Sequence, residues 1–312
     1  MRRVGIYVVA GGALFLAVVL TLTGAGERPG ALPNWQALIL GIVQGLTELL
    51  PISSSGHLIL VPWVGEWSYL ETHDQFNKTF DVALHLGTLV AVVAYFRRDI
   101  WALIVAWARS VTRRRIETAE ERVAWFVLAA TIPATILGAA GESVIEEHLG
   151  DPWQIALLMA GFAALLWVSD RTPPRLLMGE LGWHGALVVG LAQCLALAPG
   201  VSRSGVTITA ARFLGLDRDA AARFSFLLLV PIVFGASVLK GLTDVVFGDL
   251  PPGSIGPFVV GMLAAAVTGL IAIWALLGYV RHHTYSVFVV YRLILAAAVL
   301  ILIATGVRDA TF

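Results

Sequence analysis

The first residues that could carry out chemistry lie in the segment QGLTELLPISSSGH at positions 44–57. Gln44 and Glu48 are four residues apart, so on a helix their side chains lie on one face. A carboxylate in an apolar segment is costly to bury and is typical of a functional site. The other interpretation is a glutamate that makes a structural hydrogen bond or lies near the surface. We favour the functional interpretation.

Small and polar residues follow in the same segment: Ser53, Ser54, Ser55, Gly56 and His57. Small side chains let the backbone approach a ligand, hydroxyl groups donate to phosphate oxygens, and histidine can hold or move a proton near neutral pH. If a helix restarts here, His57 shares a face with Ser54, as a base and its nucleophile would. The alternative is a structural run, because serine and glycine are common where membrane helices touch.

A second segment, PGVSRSGVT, places Arg203 between Ser202 and Ser204, with Thr207 three residues further on. A guanidinium group is a planar fork that can bind phosphate through two hydrogen bonds, and a helix that starts after the break directs free N–H groups towards an anion. The pattern therefore favours phosphate binding. The alternatives are an arginine that extends to the membrane interface, or a buried ion pair with Glu48.

The composition is that of a membrane protein. Of 312 residues, 58% are hydrophobic and 13% are charged, and the mean hydropathy is +0.83. Since a spanning helix needs about 20 apolar residues, the chain has room for roughly six to nine spans in one domain. The formal net charge is zero, which gives no indication of a nucleic-acid partner. Cys194 is the only cysteine, which excludes an intrachain disulfide and a thiolate metal cluster.

Apolar stretches predict the membrane-spanning helices. Residues 4–23 follow two arginines and are read as a membrane anchor, with a cleavable signal peptide as the alternative. Further spans are predicted at 80–96, 123–141, 154–169, 224–243, 257–280 and 286–306. Regions 35–65 and 184–216 are also apolar, but the two Ser-rich segments interrupt them, which predicts broken helix hairpins.

The loop charges predict the topology. The interval 97–122 contains the densest cluster of arginines and is therefore predicted to be a cytoplasmic loop. The loops 142–153 and 244–256 are acidic and lack Lys and Arg, which places them outside. Counting from these loops, region 35–65 begins and ends outside, and region 184–216 begins and ends in the cytoplasm. Both hairpins are therefore predicted to be re-entrant and to enter from opposite faces.

The two hairpins resemble each other, GIVQGLTELLPISSSG against GLAQCLALAPGVSRSG, and each precedes three predicted spans. We therefore predict an all-α polytopic helix bundle with an inverted-topology repeat and an additional N-terminal transmembrane helix. The anchor and linker occupy 1–34, and one membrane domain occupies 35–312, with repeats at about 35–170 and 184–306. A functional site is expected near the midplane where the repeats meet.

Two further polar features are assigned structural roles, and the role of a third is left open. His85 lies in an apolar span and is read as a core histidine, and Arg113 to Arg115 are expected to set the topology and touch anionic lipids. Gln193 occupies the position of Gln44 in the second hairpin. It could orient water or a ligand, or make an interhelical hydrogen bond.

Together, QGLTELLPISSSGH and PGVSRSGVT resemble the paired signatures of the undecaprenyl pyrophosphate phosphatase family, also called the bacitracin-resistance protein family. The resemblance covers about residues 35–306, including FSFLLLVP at 224–231. It implies hydrolysis of undecaprenyl pyrophosphate to undecaprenyl phosphate and inorganic phosphate, which recycles the lipid carrier for cell-wall synthesis and confers bacitracin resistance. It also implies a multi-pass protein of the bacterial inner membrane whose active site opens towards the periplasmic side.

Carried over position by position, the family pattern implies four catalytic residues, Glu48, Ser54, His57 and Arg203, with Glu48 as a metal ligand. The substrate-binding residues that we predict are Gln44, Ser53, Ser55, Gln193, Ser202, Ser204 and Thr207. Because Gln44 leaves one carboxylate in the first motif, we expect a divalent cation, Mg2+ or Ca2+, to bind largely through the substrate phosphates.

The expected reaction is an in-line attack on the terminal phosphorus by Ser54 or by an activated water. Glu48 and His57 would handle protons and metal, and Arg203 would stabilise the spreading charge. The polyprenyl pyrophosphate and the bilayer are the expected partners, and a homodimer is left open. Two alternatives are a lipid-phosphate flippase of the same architecture and an intramembrane serine protease. The protease is disfavoured because it leaves Arg203 without a role and no GxSxG motif surrounds the serines.

Overall fold

The structure is a computed structural model that describes residues 32–67, 69–70, 73–240 and 253–311, without the side chains of residues 74, 75, 142–147 and 240. The predicted N-terminal helix and most of the predicted loop 244–256 lie outside these residues. Within the described residues the chain folds into ten α-helices and no β-strand. They are α1 (Asn34–Leu49), α2 (Ser54–Gly65), α3 (Asp74–Arg113), α4 (Ala119–His148), α5 (Pro152–Ser169), α6 (Gly182–Cys194), α7 (Arg203–Phe213), α8 (Arg218–Lys240), α9 (Ile255–Val280) and α10 (Ser286–Ala304).

Six helices are long and apolar enough to cross a bilayer, which confirms the six spans predicted after the first hairpin. The segments that meet this criterion are Phe76–Arg113, Ala119–Gly141, Pro152–Ser169, Arg218–Leu239, Ile255–Val280 and Ser286–Ala304. The hairpin helices α1, α2, α6 and α7 have 16, 12, 13 and 11 residues. Each is shorter than the roughly 20 residues that a single span needs. Their predicted re-entry from opposite faces stays a prediction.

The prediction of a loop at 97–122 is wrong for most of its length, whereas its cytoplasmic location stays a prediction. Helix α3 continues for 40 residues to Arg113, with a kink at Phe96 (φ −95°, ψ 17°), and the connection to α4 is short. Residues 97–113 contain no glycine or proline, so nothing in the local sequence stops the helix. Arg114, with φ at 54°, ends it. The basic cluster therefore lies largely on a helix.

Helices of the first half of the chain pack against helices of the second half. Helix α9 of the second half packs along α1, and α4 of the first half packs along α6. The pairs α5 with α10 and α3 with α8 also pack together. A pseudo-twofold relation between two repeats produces this pattern. The repeat makes α1 equivalent to α6 and α4 equivalent to α9, so the contact of α1 with α9 corresponds to the contact of α6 with α4. The contacts support the predicted repeat.

Glycines let helices of the two halves approach each other closely. A Cβ atom on Gly41 of α1 would collide with the carbonyl oxygen of Gly261 on α9, and one on Gly190 of α6 would lie 2.5 Å from the carbonyl oxygen of Ala130 on α4. Gly41 and Gly190 are equivalent in the two aligned hairpins. Small residues at such contacts are typical of helix packing in membranes.

A charged cluster joins the C-terminal ends of α5 and α7 to the N-terminal ends of α8 and α10. Arg218 Nε lies 2.5 Å from Asp170 Oδ1, and the Tyr285 backbone N–H donates to Asp170 Oδ2 at 3.0 Å. Buried Arg212 donates to the carbonyl oxygens of Asp170, Thr172 and Leu216. This cluster fixes the C-terminal end of α7, whereas Arg203 lies at its N-terminal end.

Gly41→Ala should destabilise the fold, because its new methyl group collides with α9. We expect the free energy of unfolding to fall by about 1–3 kcal/mol, as for other overpacked sites. Thermal unfolding of the detergent-purified protein measures this. Gly161→Ala on α5 is the matched control, since its Cβ meets nothing within 4 Å. Equal unfolding temperatures for the two variants would contradict the close contact between α1 and α9.

Candidate functional site

The site forms where the two helix breaks meet. Ser53 and Ser202 each precede a restarted helix and adopt left-handed backbone conformations, with φ at 77° and 75°. The Ser53 hydroxyl accepts from Gly56 N at 3.3 Å, and the Ser202 hydroxyl accepts from Gly205 N at 3.1 Å. A positive φ is unfavourable for serine, so both breaks hold strained turns that the surrounding structure maintains. Helices α2 and α7 therefore start in the same way.

Direct hydrogen bonds tie the two breaks together. The Gly200 backbone N–H donates to Ser53 Oγ at 3.1 Å, and Ser204 Oγ donates to the carbonyl oxygen of Leu50 at 3.0 Å. Each bond joins the first half of the chain to the second. The N-termini of α2 and α7, with Ser54 and Arg203 as their first residues, are consequently held side by side.

Glu48 and Arg203 form an ion pair across this joint. Arg203 donates to Glu48 Oε1 from Nη2 at 2.9 Å and from Nε at 3.2 Å, and Arg203 Nη1 donates to the carbonyl oxygen of Ser225 at 3.2 Å. The side chains of Glu48 and Arg203 are 4% and 13% exposed. The two breaks thus bring the predicted carboxylate and guanidinium into direct contact, which is the buried ion pair that we gave as the alternative for Arg203. Phosphate binding by Arg203 stays a prediction.

The second carboxylate oxygen of Glu48 accepts hydrogen bonds from polar side chains of the first half of the chain. Ser54 Oγ donates to Glu48 Oε2 through a short hydrogen bond, and Gln44 Nε2 donates to the same oxygen at 3.3 Å. The predicted shared face of Gln44 and Glu48 is confirmed by this bond. A carboxylate that accepts a hydrogen bond from a hydroxyl group is positioned to act as the general base for that hydroxyl group.

The ring nitrogens of His57 bond groups other than Ser54, so the expected hydrogen-bonded pair of nucleophile and histidine base is not formed in this structure. His57 Nδ1 lies 2.6 Å from the carbonyl oxygen of Ser53, and Nε2 lies 2.6 Å from the hydroxyl oxygen of Tyr291 on α10. The reason is local: the ring bonds back to the carbonyl four residues earlier, at the helix start, and this directs Nε2 towards α10. Glu48 takes the place at Ser54 that we assigned to His57.

His85 belongs to the site, although the sequence analysis placed it in the core. His85 Nε2 lies 3.5 Å from Glu48 Oε2, while Nδ1 bonds the carbonyl oxygen of Asp81 at 2.7 Å. Its side chain is 31% exposed. The signal that could have identified it is an ionisable residue within a predicted membrane span, which is the same criterion that selected Glu48.

The remaining predicted binding residues are largely engaged within the protein. Thr207 Oγ1 lies 2.8 Å from the carbonyl oxygen of Arg203 and 2.7 Å from Ser225 Oγ. Ser55 Oγ lies 3.5 Å from Ser53 Oγ, and the hydroxyl oxygens of Ser202 and Ser204 are 3.3 Å apart. These hydroxyl groups shape the two turns, and substrate contacts by them stay predictions.

Gln193 bonds another helix and not the Glu48 group. Its Nε2 donates to the carbonyl oxygen of Ala130 on α4 at 3.4 Å, which is the interhelical bond that we gave as the alternative. The equivalent Gln44 reaches a carboxylate because Glu48 lies four residues further on. In the second half that place is occupied by Leu197.

Sequence reasoning also missed Tyr291 and Arg292 on α10. Arg292 is fully buried and donates to the carbonyl oxygens of Met159, Pro51, Gly200 and Val201. An arginine in the middle of the apolar stretch 286–306 is itself a signal, because charges within membrane spans are costly. We had read that stretch as a plain spanning helix.

The oxygen donors at the site fit a cation that is bound partly by the protein and partly by a ligand. Among the described residues no group of three His, Cys, Asp or Glu side chains could hold a metal ion. Glu48 supplies one carboxylate, and the nearby Gln44 Oε1 is buried without a hydrogen-bond partner in the described part of the chain. Oxygen donors of this kind suit Mg2+ or Ca2+, and the few protein ligands leave room for phosphate oxygens and water.

The fold and site define a class: a polytopic helical membrane protein whose two repeats join a carboxylate, a serine and an arginine at paired helix breaks. The family model described as bacitracin resistance protein BacA matches residues 37–298. The chain therefore belongs to this family.

Relatives in several bacteria carry one name. The chain is 48% identical over 266 residues to the undecaprenyl-diphosphatase of Geobacter sulfurreducens, a match that covers 85% of this chain and 96% of the relative. It is 45% identical over 279 residues to the undecaprenyl-diphosphatase of Thermomicrobium roseum, covering 86% and 98% of the two chains. The protein of the same name from Rubrobacter xylanophilus is 44% identical over 266 residues, covering 85% and 96%.

The ion pair between the two halves should contribute to stability. Arg203→Met leaves the Glu48 carboxylate buried without this cation, so we expect the free energy of unfolding to fall by roughly 3 kcal/mol. Adding Glu48→Gln should cost less in this background than in the wild type, with a coupling above about 1 kcal/mol. Unfolding of purified protein in detergent gives these values. Arg98→Met on the exposed face of α3 is the control, and additive effects of the two site variants would exclude the coupling.

Proposed function

We propose that this protein hydrolyses undecaprenyl pyrophosphate to undecaprenyl phosphate and inorganic phosphate. The observation that carries the proposal is the contact of Ser54, Glu48 and Arg203 across the two helix breaks. Family membership and the shared name of the relatives support the same substrate. The activity recycles the lipid carrier for cell-wall synthesis and accounts for bacitracin resistance.

The site binds the pyrophosphate through positive groups that converge on one point. Helix N-termini favour anions, and those of α2 and α7 lie side by side. One N–H group of each, from Gly56 and Gly205, is already bonded to a serine hydroxyl. Arg203, whose side chain is 13% exposed, adds a charged donor beside them. The terminal phosphate accordingly lies over Ser54 and Arg203.

Ser54 is the nucleophile in this proposal and Glu48 is its base. The Ser54 oxygen attacks the terminal phosphorus, its proton passes to Glu48, and the bond from this phosphorus to the bridging oxygen breaks. Undecaprenyl phosphate leaves, and Arg203 stabilises the charge on the transferred phosphoryl oxygens. Water then attacks the phosphorus of the phosphoserine, and the bond from phosphorus to Ser54 Oγ breaks. Glu48 returns its proton to Ser54 Oγ, and inorganic phosphate leaves with the protons of the water. His57, held by Tyr291, stays outside these two steps.

Glu48 and Gln44 Oε1 would hold a divalent cation beside the phosphates. When bound, Mg2+ or Ca2+ neutralises charge on the phosphate oxygens. The protein groups bind and orient the substrate and move the proton between Ser54 and Glu48.

The bacterial plasma membrane is the proposed location, with the site open towards the periplasmic side. The distribution of arginines supports this orientation, because it places the Arg-rich end of α3 in the cytoplasm. From that end, the first hairpin lies on the outer side and contributes Glu48 and Ser54. Whether the protein forms a homodimer is left to experiment.

Phosphate release from undecaprenyl pyrophosphate by detergent-purified protein tests the activity. We expect the release to depend on a divalent cation. The rate should fall at least about 100-fold in both Glu48→Ala and Arg203→Ala, since Glu48 and Arg203 act together with Ser54. The Arg98→Met variant should keep the wild-type rate. Well-folded wild-type protein that releases no phosphate, but moves the lipid between leaflets after reconstitution into vesicles, would instead support the flippase.

Ser54→Ala distinguishes the serine nucleophile from an activated water. Removal of the hydroxyl should abolish turnover to below about one-hundredth of the wild-type rate, because no phosphoserine can form. Mass spectrometry of acid-quenched wild-type protein should detect phosphate on Ser54. A Ser54→Ala variant that keeps most of its turnover would assign the attack to water.

A further inference from the structure

Arg292 is a fully buried cation beside the site, and the reaction as proposed does not use it. It lies within α10, and its exposed fraction is 0%. Among the described residues, no carboxylate lies within ion-pair distance of its guanidinium group. A buried charge without an ionic partner is costly, so its hydrogen bonds must compensate for the lost water.

The acceptors of Arg292 are backbone carbonyl groups of both helix breaks. Nη1 donates to Pro51 O at 3.4 Å, and Nη2 donates to Gly200 O at 2.9 Å and to Val201 O at 3.1 Å. Pro51 lies three residues before Ser54, and Val201 lies two residues before Arg203. One guanidinium group therefore contacts the turns that lead into α2 and α7.

A fourth hydrogen bond fixes the guanidinium group itself. Arg292 Nε donates to the carbonyl oxygen of Met159 on α5 at 3.0 Å, and α5 packs along α10. The side chain is thus anchored on two packed spanning helices and extends from them to the two turns. Gly205 leaves the space it needs, because a Cβ atom there would lie 3.0 Å from Arg292 Nη1.

We propose that Arg292 is a positioning residue that holds Ser54 and Arg203 in register for phosphate hydrolysis. The carbonyl groups that it binds set the peptide planes leading into both strained turns, and hence the directions of the first residues of α2 and α7. Glu48 contacts Ser54 and Arg203 at once, so a shift of either turn separates the nucleophile from its base or the phosphate from its cation. The inference rests on the proposed phosphatase activity.

Arg292→Lys tests the role, because lysine keeps the charge and loses the planar fork that reaches both turns. We expect kcat to fall roughly 30-fold with KM changed by less than about threefold, since misplaced groups slow the chemical step more than they weaken binding. Arg212→Lys is the matched control. Arg212 is also a buried arginine that binds three backbone carbonyl groups, but at the opposite end of α7.

Both variants should unfold at lower temperature, whereas the kcat of Arg212→Lys, per folded protein, should stay within about twofold of the wild type. A wild-type kcat in Arg292→Lys, or equal losses of kcat in the two lysine variants, would overturn the positioning role. Wild-type protein that releases no phosphate would overturn the proposed function instead.

Gly205→Ala provides a second test if Arg292→Lys does not fold. It keeps Arg292, and its added methyl group would lie 3.0 Å from Arg292 Nη1 and equally close to Ser202, so the guanidinium group and the turn must move apart. We expect kcat to fall at least about tenfold with KM little changed. An unchanged kcat in this variant would show that the placement of Arg292 does not matter to the reaction.

Discussion

The ion pair between Glu48 and Arg203 is the interaction on which the arrangement of this protein depends. Each group alone would be an uncompensated charge in an apolar bundle, and burial of such a charge costs several kcal/mol. The pair satisfies both charges only if the first half of the chain supplies the carboxylate and the second half supplies the guanidinium group. The two broken hairpins must therefore meet. In the structure α1 also packs against α9, and α6 packs against α4.

Helix breaks make such a site possible within a membrane protein. Non-helical backbone at membrane depth needs cover from protein, because lipid cannot bond its polar groups. Here each break covers the other, through Gly200 N to Ser53 Oγ and Ser204 Oγ to Leu50 O. The same breaks place the N-termini of α2 and α7 beside each other, where Ser53 and Ser202 accept hydrogen bonds from the N–H groups of Gly56 and Gly205. The feature that costs stability thus also brings Ser54, Glu48 and Arg203 together.

Local patterns predicted the parts of this structure that depend on local physics. Apolar length identified six spanning helices, and the proline, glycine and serine runs identified both breaks. The failures have tertiary causes. His57 bonds Ser53 and, on a helix distant in sequence, Tyr291, so the expected hydrogen bond to Ser54 is not formed. The arginine positions located the basic cluster at 97–122 but carry no information on backbone conformation. The predicted span therefore stops at residue 96, whereas α3 continues to Arg113.

The sequence by itself determined the class of protein, the two motifs and the types of their reactive residues, because hydrophobicity and helix breaking act over a few neighbouring residues. Tertiary structure decided which of these residues touch. Glu48 pairs with a residue 155 positions away, and Arg292 binds carbonyl groups up to 241 positions distant. His85 joins the site because α3 packs beside α1. These contacts depend on how whole helices pack around the paired charges, which no local pattern contains.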